Sequence, residues 1–205
     1  MSTFHLPTES QAAWCRDSAA SLATDSLRDQ LADCFLNSRP VATAGSDFND
    51  TREALAQWIS DGMAAARERR LMPVAVDREV SLAEAMAAFN APALPGAWRQ
   101  VPVSTIGNDP DPGLMSPAQN LQFRFLHDWL HAVTGADASF EGELALTFAH
   151  QCSSPLILWS VFASEVAGQA AVAIRDGGFP EQKLAGACWN VLWMEASRQW
   201  LAVEA

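Results

Sequence analysis

Two histidines one helical turn apart, His127 and His131, stand with Asp128 beside the first and Glu143 after a gap of eleven residues. Together they offer four side chains able to ligate a metal ion. Histidine otherwise occurs only at His5 and His150. Positions i and i+4 share one face of a helix, so both imidazoles can approach one ion. Glu143 lies too far along for that turn and must return on the next helix, closing the site from the opposite side. Asp128 sits about 100° around the helix from His127. It either reaches the ion through a suitable rotamer or orients His131 from behind. Two imidazoles and two carboxylates suit a divalent metal: Zn²⁺ first, with Fe²⁺ or Mn²⁺ as the others. No thiolate belongs to the set, which argues against a purely structural zinc. A metal with an open position binds a phenolate or carboxylate oxygen as a Lewis acid, or positions dioxygen. Spacing alone leaves a blander alternative, in which the histidines are ordinary polar or interfacial residues.

The elements that must position these groups read as helices. Ser116-Pro117-Ala118-Gln119 opens the motif helix with a serine cap, a proline in the first turn and a glutamine three residues after the cap. Phe123, Leu126, Leu130 and Val133 fall on one face, and Asn120, Arg124, His127 and His131 on another. Gly135 suits a left-handed C-cap. Asp137 or Ser139 caps the next helix, with Glu143 in its first turns and His150 seven residues later on the same face. Upstream, helices are expected over Glu9 to Leu36, Thr51 to Arg70 and, from the capping box Ser81-Leu82-Ala83-Glu84, to about Phe89. A loop is expected from Ala42 to Asp50. Residues 90–116 form a Pro/Gly-rich connection, in which only Val101 to Ile106 suggests an extended piece. A long apolar helix opens at Ser154-Pro155 and closes at Gly177-Gly178. A final helix follows Phe179-Pro180 and reaches about Ala202. The expected class is all-α, a single-domain multi-helix bundle over residues 1–205, with the metal-motif helix pair at about 117–151.

Composition narrows the functions. The chain has 205 residues, enough for one domain with a real core. A net charge of -11 excludes phosphate-driven nucleic-acid binding and electrostatic docking on anionic lipid. Cys15, Cys34, Cys152 and Cys188 form no Cys-x-x-Cys pair. With no secretory pattern over Met1 to Ser10, they are expected as free thiols in a cytoplasmic protein. Residues 155–174 are long and apolar enough to span a membrane. However, Glu165 interrupts them, and Ser160, Ser164, Gly168 and Gln169 form a more polar stripe. A buried bundle helix is expected instead.

Two other metal-hydrolase patterns fit poorly. An HD-type phosphohydrolase needs a further histidine well upstream, and none lies between His5 and His127. A zincin needs glutamate directly after the first histidine, where this chain has Asp128. The stretch Phe123 to Gly135 instead resembles the signature of the coenzyme Q (ubiquinone) biosynthesis protein four family, His-Asp-x-x-His, eleven residues, then Glu. Phe123-Arg124 ahead of the motif, Gly135 after it and Gly142 before Glu143 also match. Asn190 to Glu195 is weakly similar to that family's closing helix. Clear resemblance covers roughly residues 117–150.

The resemblance implies an all-helical protein with a divalent metal held by His127, Asp128, His131 and Glu143, and a groove for a prenylated aromatic or isoprenoid lipid. It implies work in ubiquinone synthesis, as a metal-dependent decarboxylase or lyase that removes a ring carboxylate oxidatively and leaves a hydroxyl at that carbon. The partners it implies are other quinone-synthesis proteins and a second copy of the chain. Membrane contact is at most peripheral, at the inner membrane. Arg124, one turn before His127, is the candidate catalytic residue for holding an anionic group of the substrate, with a surface salt bridge as its alternative. His150 is either an additional ligand or proton carrier, or a helix-surface histidine. Trp159, Trp189, Trp193 and Trp200 either line an apolar groove or pack as core. The rival to an enzyme is a non-catalytic isoprenoid-lipid-binding or scaffold protein with a structural metal site.

Overall fold

The computed structural model describes residues 3–38, 46–92, 94–108, 114–180, 185 and 187–203, with side chains at 46, 47 and 198–203 left aside. Polar caps set most of the helix boundaries. Thr8 caps α1 (Glu9–Leu22): its side chain accepts the Gln11 amide, and Gln11 returns to the Thr8 N–H at 2.8 Å. The single helix expected from Glu9 to Leu36 is instead two. Thr24 accepts the Leu27 amide at 3.1 Å and opens α2 (Asp25–Asn37). A threonine side chain that takes a backbone amide competes with the continuing helix, so the chain turns at Ala23–Thr24.

The third helix, α3 (Ser46–Glu68), starts inside the stretch expected as a loop and stops short of Arg70. The remainder of that loop lies outside the described residues. Arg70 adopts a left-handed φ of 54° and turns the chain into β1 (Leu71–Val76), a strand the sequence reading did not expect. β1 pairs in parallel with β2 (Arg99–Ser104), Leu71 opposite Arg99 through Val76 opposite Ser104. The extended piece expected at Val101 to Ile106 thus begins and ends two residues earlier. Pro73 and Pro102 hide these strands in the sequence. Each strand has only one neighbour, so a proline nitrogen can face the unpaired side.

Between the strands runs α4 (Leu82–Asn90). Ser81 accepts the Glu84 amide at 3.2 Å, but the Glu84 carboxylate turns to Arg78 at 2.9 Å, so only half of the expected capping box forms. The motif helices are α5 (Pro117–Thr134) and α6 (Phe140–Cys152). The apolar stretch that follows is composite: a 3₁₀ turn at Leu156–Leu158, α7 (Trp159–Phe162), a π turn at Ala163–Gly168 and α8 (Gln169–Asp176). Gly177 closes it with a φ of 83°. α9 (Ala187–Val203) completes the chain.

The protein is therefore mostly helical with one small sheet, in keeping with the expected all-α class. α1 packs on α6, α2 on α8 and α9, and α4 with β2 on α5. One hydrophobic core runs from Phe4 to Leu192. At its centre Trp58 is fully buried among Phe4, Phe123 and Phe162, with its Nε1 donating to the Ser153 carbonyl at 2.9 Å. Leu156–Asp176 is long and apolar enough to cross a membrane, and most of it is buried inside this core. The four cysteines are free thiols, with Cys15 and Cys188 buried.

Candidate metal centre

The motif helix is fixed at both ends. Ser116 and Gln119 form a complete capping box at its start. At its end Gly135 takes the left-handed conformation, with a φ of 70°, and its N–H donates to the His131 carbonyl. The chain then reverses, which brings the Ala136 carbonyl to 3.0 Å from His131 Nδ1. A carbonyl only accepts, so His131 Nδ1 carries hydrogen and Nε2 is the nitrogen turned inward.

The reversal also sets the start of α6. Ser139 caps it by accepting the Gly142 amide at 3.1 Å, while Asp137 Oδ1 accepts the Ser139 amide at 3.0 Å. Residue 142 has no room for a side chain: a Cβ there would lie 1.9 Å from the Asp137 carbonyl oxygen. Glycine lets the loop lie directly on the first turn of α6, and Glu143 is the next residue.

Three ligand atoms meet as a result. His131 Nε2 lies 3.1 Å from His127 Nε2. The Glu143 carboxylate lies 3.6 Å from His127 Nε2 and 3.5 Å from His131 Nε2. Bonds of 2.0–2.1 Å at tetrahedral angles separate neighbouring ligand atoms by about 3.3 Å, so these spacings match an ion-sized space. His127, His131 and Glu143 can thus hold a metal ion. Their side chains are 21%, 2% and 12% exposed. Asp128 lies outside this cluster, on the wall of the adjoining cavity, as its position around the helix from His127 leads one to expect.

Burial governs the electrostatics. It holds the His127 imidazole down to about 3, despite the opposing pull of Glu143. Burial also pushes the Asp128 carboxyl up to about 6, against the charges of His131 and Arg124. For His131, burial lowers the value, but the Glu143 hydrogen bond and charge and the Ala136 carbonyl outweigh it, and the net shift is upward.

The cluster opens on a cavity of about 890 Å³. Phe123, Val103, Val166 and Ala170 give it apolar walls, and Phe179, 78% exposed, stands at its rim. Arg124 lines it too. Its guanidinium donates to the carbonyls of Ser104 (3.0 Å), Ile106 (2.9 Å) and Gly107 (3.0 Å), which clamps the end of β2 to α5. Burial lowers the pKa of this arginine, and Asp128 and Glu79 are the carboxylates that counter the shift. It is the one arginine or lysine among the described residues of the lining.

The sequence reading treated Glu165 only as an interruption of an apolar stretch. It is a buried carboxylate of this cavity, accepting from Ser164 Oγ at 2.8 Å and Gln169 Nε2 at 2.7 Å. A lone acidic residue inside a buried helix was the available signal. The tryptophans do not line the cavity: Trp159, Trp189 and Trp193 form a ladder with ring centroids 5.6 and 5.8 Å apart, and the Trp200 side chain lies outside the described residues.

No protein-family model, curated protein or solved structure matches this chain.

Proposed function

We propose that the chain binds a divalent metal ion, Zn²⁺ before Fe²⁺ or Mn²⁺, and works on a prenylated aromatic acid, as the resemblance to the coenzyme Q biosynthesis protein four family implies. The reaction is loss of the ring carboxylate with hydroxylation at that carbon. The observation that carries this reading is the meeting of two imidazole Nε2 atoms and one carboxylate beside an apolar-walled cavity. Imidazole and carboxylate are the borderline donors such ions take. His127, His131 and Glu143 would hold the ion, and Asp128 would join them or orient them from the wall. When bound, the ion supplies Lewis acidity toward a phenolate or carboxylate oxygen.

The chain's own residues do the rest. Phe123, Val166 and Ala170 exclude water from the ring. Phe179 at the rim offers an apolar lead to an isoprenoid tail. Arg124, oriented by three carbonyls, keeps a positive charge at the wall that favours an acidic substrate.

Metal content of tag-free protein, measured by mass spectrometry for wild type beside His131→Ala, tests this reading. Near one equivalent in wild type, lost in the variant together with turnover of a prenylated aromatic acid, is expected. No metal in wild type after growth in supplemented medium would overturn the centre. Turnover surviving without metal would overturn the ion's part in the reaction.

A further inference from the structure

His150 is fully buried and does not line the cavity. Its ring stacks on Phe162, with centroids 4.6 Å apart at 19°, and on Phe123 at 5.6 Å and 17°. Its Nε2 lies 3.2 Å from His127 Nδ1. The other nitrogen, Nδ1, is buried with no hydrogen-bond partner. A phenylalanine would fill this aromatic stack without leaving a buried polar atom unmatched. The use of histidine here calls for a reason, and the only polar contact its ring makes is with His127.

The proton positions supply that reason. For His127 to present a bare Nε2 to an ion, its hydrogen must sit on Nδ1. The group facing Nδ1 is His150 Nε2, which accepts that hydrogen only when its own proton is on Nδ1. His131 reaches the same end by another route, with Nδ1 held by the Ala136 carbonyl. Partners behind the ligating imidazoles normally fix tautomer and ring angle in this way. The backbone in turn holds His150 in place: Ser153 Oγ donates to the His150 carbonyl at 2.9 Å, and Trp58 secures Ser153.

We infer that His150 is a positioning residue of the metal centre, which accepts the His127 Nδ1 hydrogen and so turns His127 Nε2 toward the ion without ligating it. This inference rests on the metal reading above.

The test compares wild type, His150→Phe and His150→Gln by chelator competition for Zn²⁺, by the Co²⁺ absorption spectrum and by the melting temperature of metal-free protein. His150→Phe keeps the stack and removes the acceptor. It is expected to melt close to wild type, to bind Zn²⁺ about 10- to 100-fold more weakly, and to keep the Co²⁺ band positions. His150→Gln restores a carbonyl acceptor and is expected to recover most of the affinity. Wild-type affinity in His150→Phe would overturn the inference. So would a Co²⁺ spectrum altered as in His127→Ala, which would make His150 a ligand. If His150→Phe does not fold, His150→Gln decides alone: affinity within a few-fold of wild type supports the role, and a 10-fold or greater loss refutes it. Absence of Zn²⁺ binding in wild type is a separate failure, that of the metal centre itself, and it takes the inference with it.

Discussion

Two walls of the same cavity are built in opposite ways. α5 and α6 are regular helices, each opened by a serine cap, and α5 closes on a left-handed glycine. The segment Leu156–Asp176 has no side-chain cap at its start and passes from 3₁₀ to α to π and back to α. The regular pair carries the ligands, because i,i+4 spacing on a capped helix fixes two imidazoles without further help. The irregular wall carries Glu165 and Gln169, whose side chains meet across a π turn. Departures of this kind concentrate at functional sites. Ion-sized geometry thus comes from repetition, and the shape of the space beside it comes from irregularity.

Acid is the strongest way to separate the two walls. His127 and His150 each titrate near 6.5 when unfolded and near 3 when folded. Between those values the unfolded chain binds more protons, so stability is full above pH 6.5 and falls as pH drops toward 3. Asp128, raised to about 6, works the other way below that value, but it is one group against two. In chelator, the melting temperature is expected to fall by roughly 10 °C or more between pH 7 and 5. A flat profile over that range would show that neither imidazole is held neutral.

Gly142→Ala attacks the regular wall at the point where it has no slack. A methyl 1.9 Å from the Asp137 carbonyl oxygen must push the loop off the first turn of α6 and displace Glu143. The expected cost is about 2–4 kcal/mol, a fall of roughly 5–15 °C, with weakened Zn²⁺ binding alongside. Calorimetry and chelator competition check the two effects, and unchanged values for both would mean the turn adapts.

Gly168→Ala probes the irregular wall more gently. Its methyl would lie 2.9 Å from the Phe35 ring and 3.1 Å from Cys188 Sγ. The overpacking is partly offset by better helix propensity, leaving a net loss of about 1 kcal/mol, or roughly 2–4 °C. Zn²⁺ affinity is expected to be unchanged. A loss of affinity here as large as in Gly142→Ala would erase the distinction between the walls.

The sequence made the regular wall legible. Ser116, Pro117, Gln119, Gly135 and Ser139 are local signals, read from spacing alone, and all lie where the helices begin or end. The pairing of Glu143 with the histidines also followed from spacing. What stayed hidden depends on tertiary context. β1 contains Pro73, which reads as a break until a strand with one neighbour excuses it. The corner at Ala23–Thr24 depends on one threonine favouring a cap over a continuous helix. The π turn leaves no mark in an alanine-rich run, and the role of Glu165 is invisible until the cavity is drawn around it. Arg124 was visible as a charge near the motif, but its three carbonyl partners come from residues 17 to 20 positions away.

The π turn also fixes the length of the chain. Removing one residue from Ala163–Gly168 would let the helix close as α and rotate all that follows by about 100°. Gln169 would leave Glu165, and residue 168 would no longer face Phe35. Surface loops absorb insertions and deletions easily. This buried stretch does not, so variation in length should be tolerated on the outside of the molecule and refused here, even where every residue type is preserved.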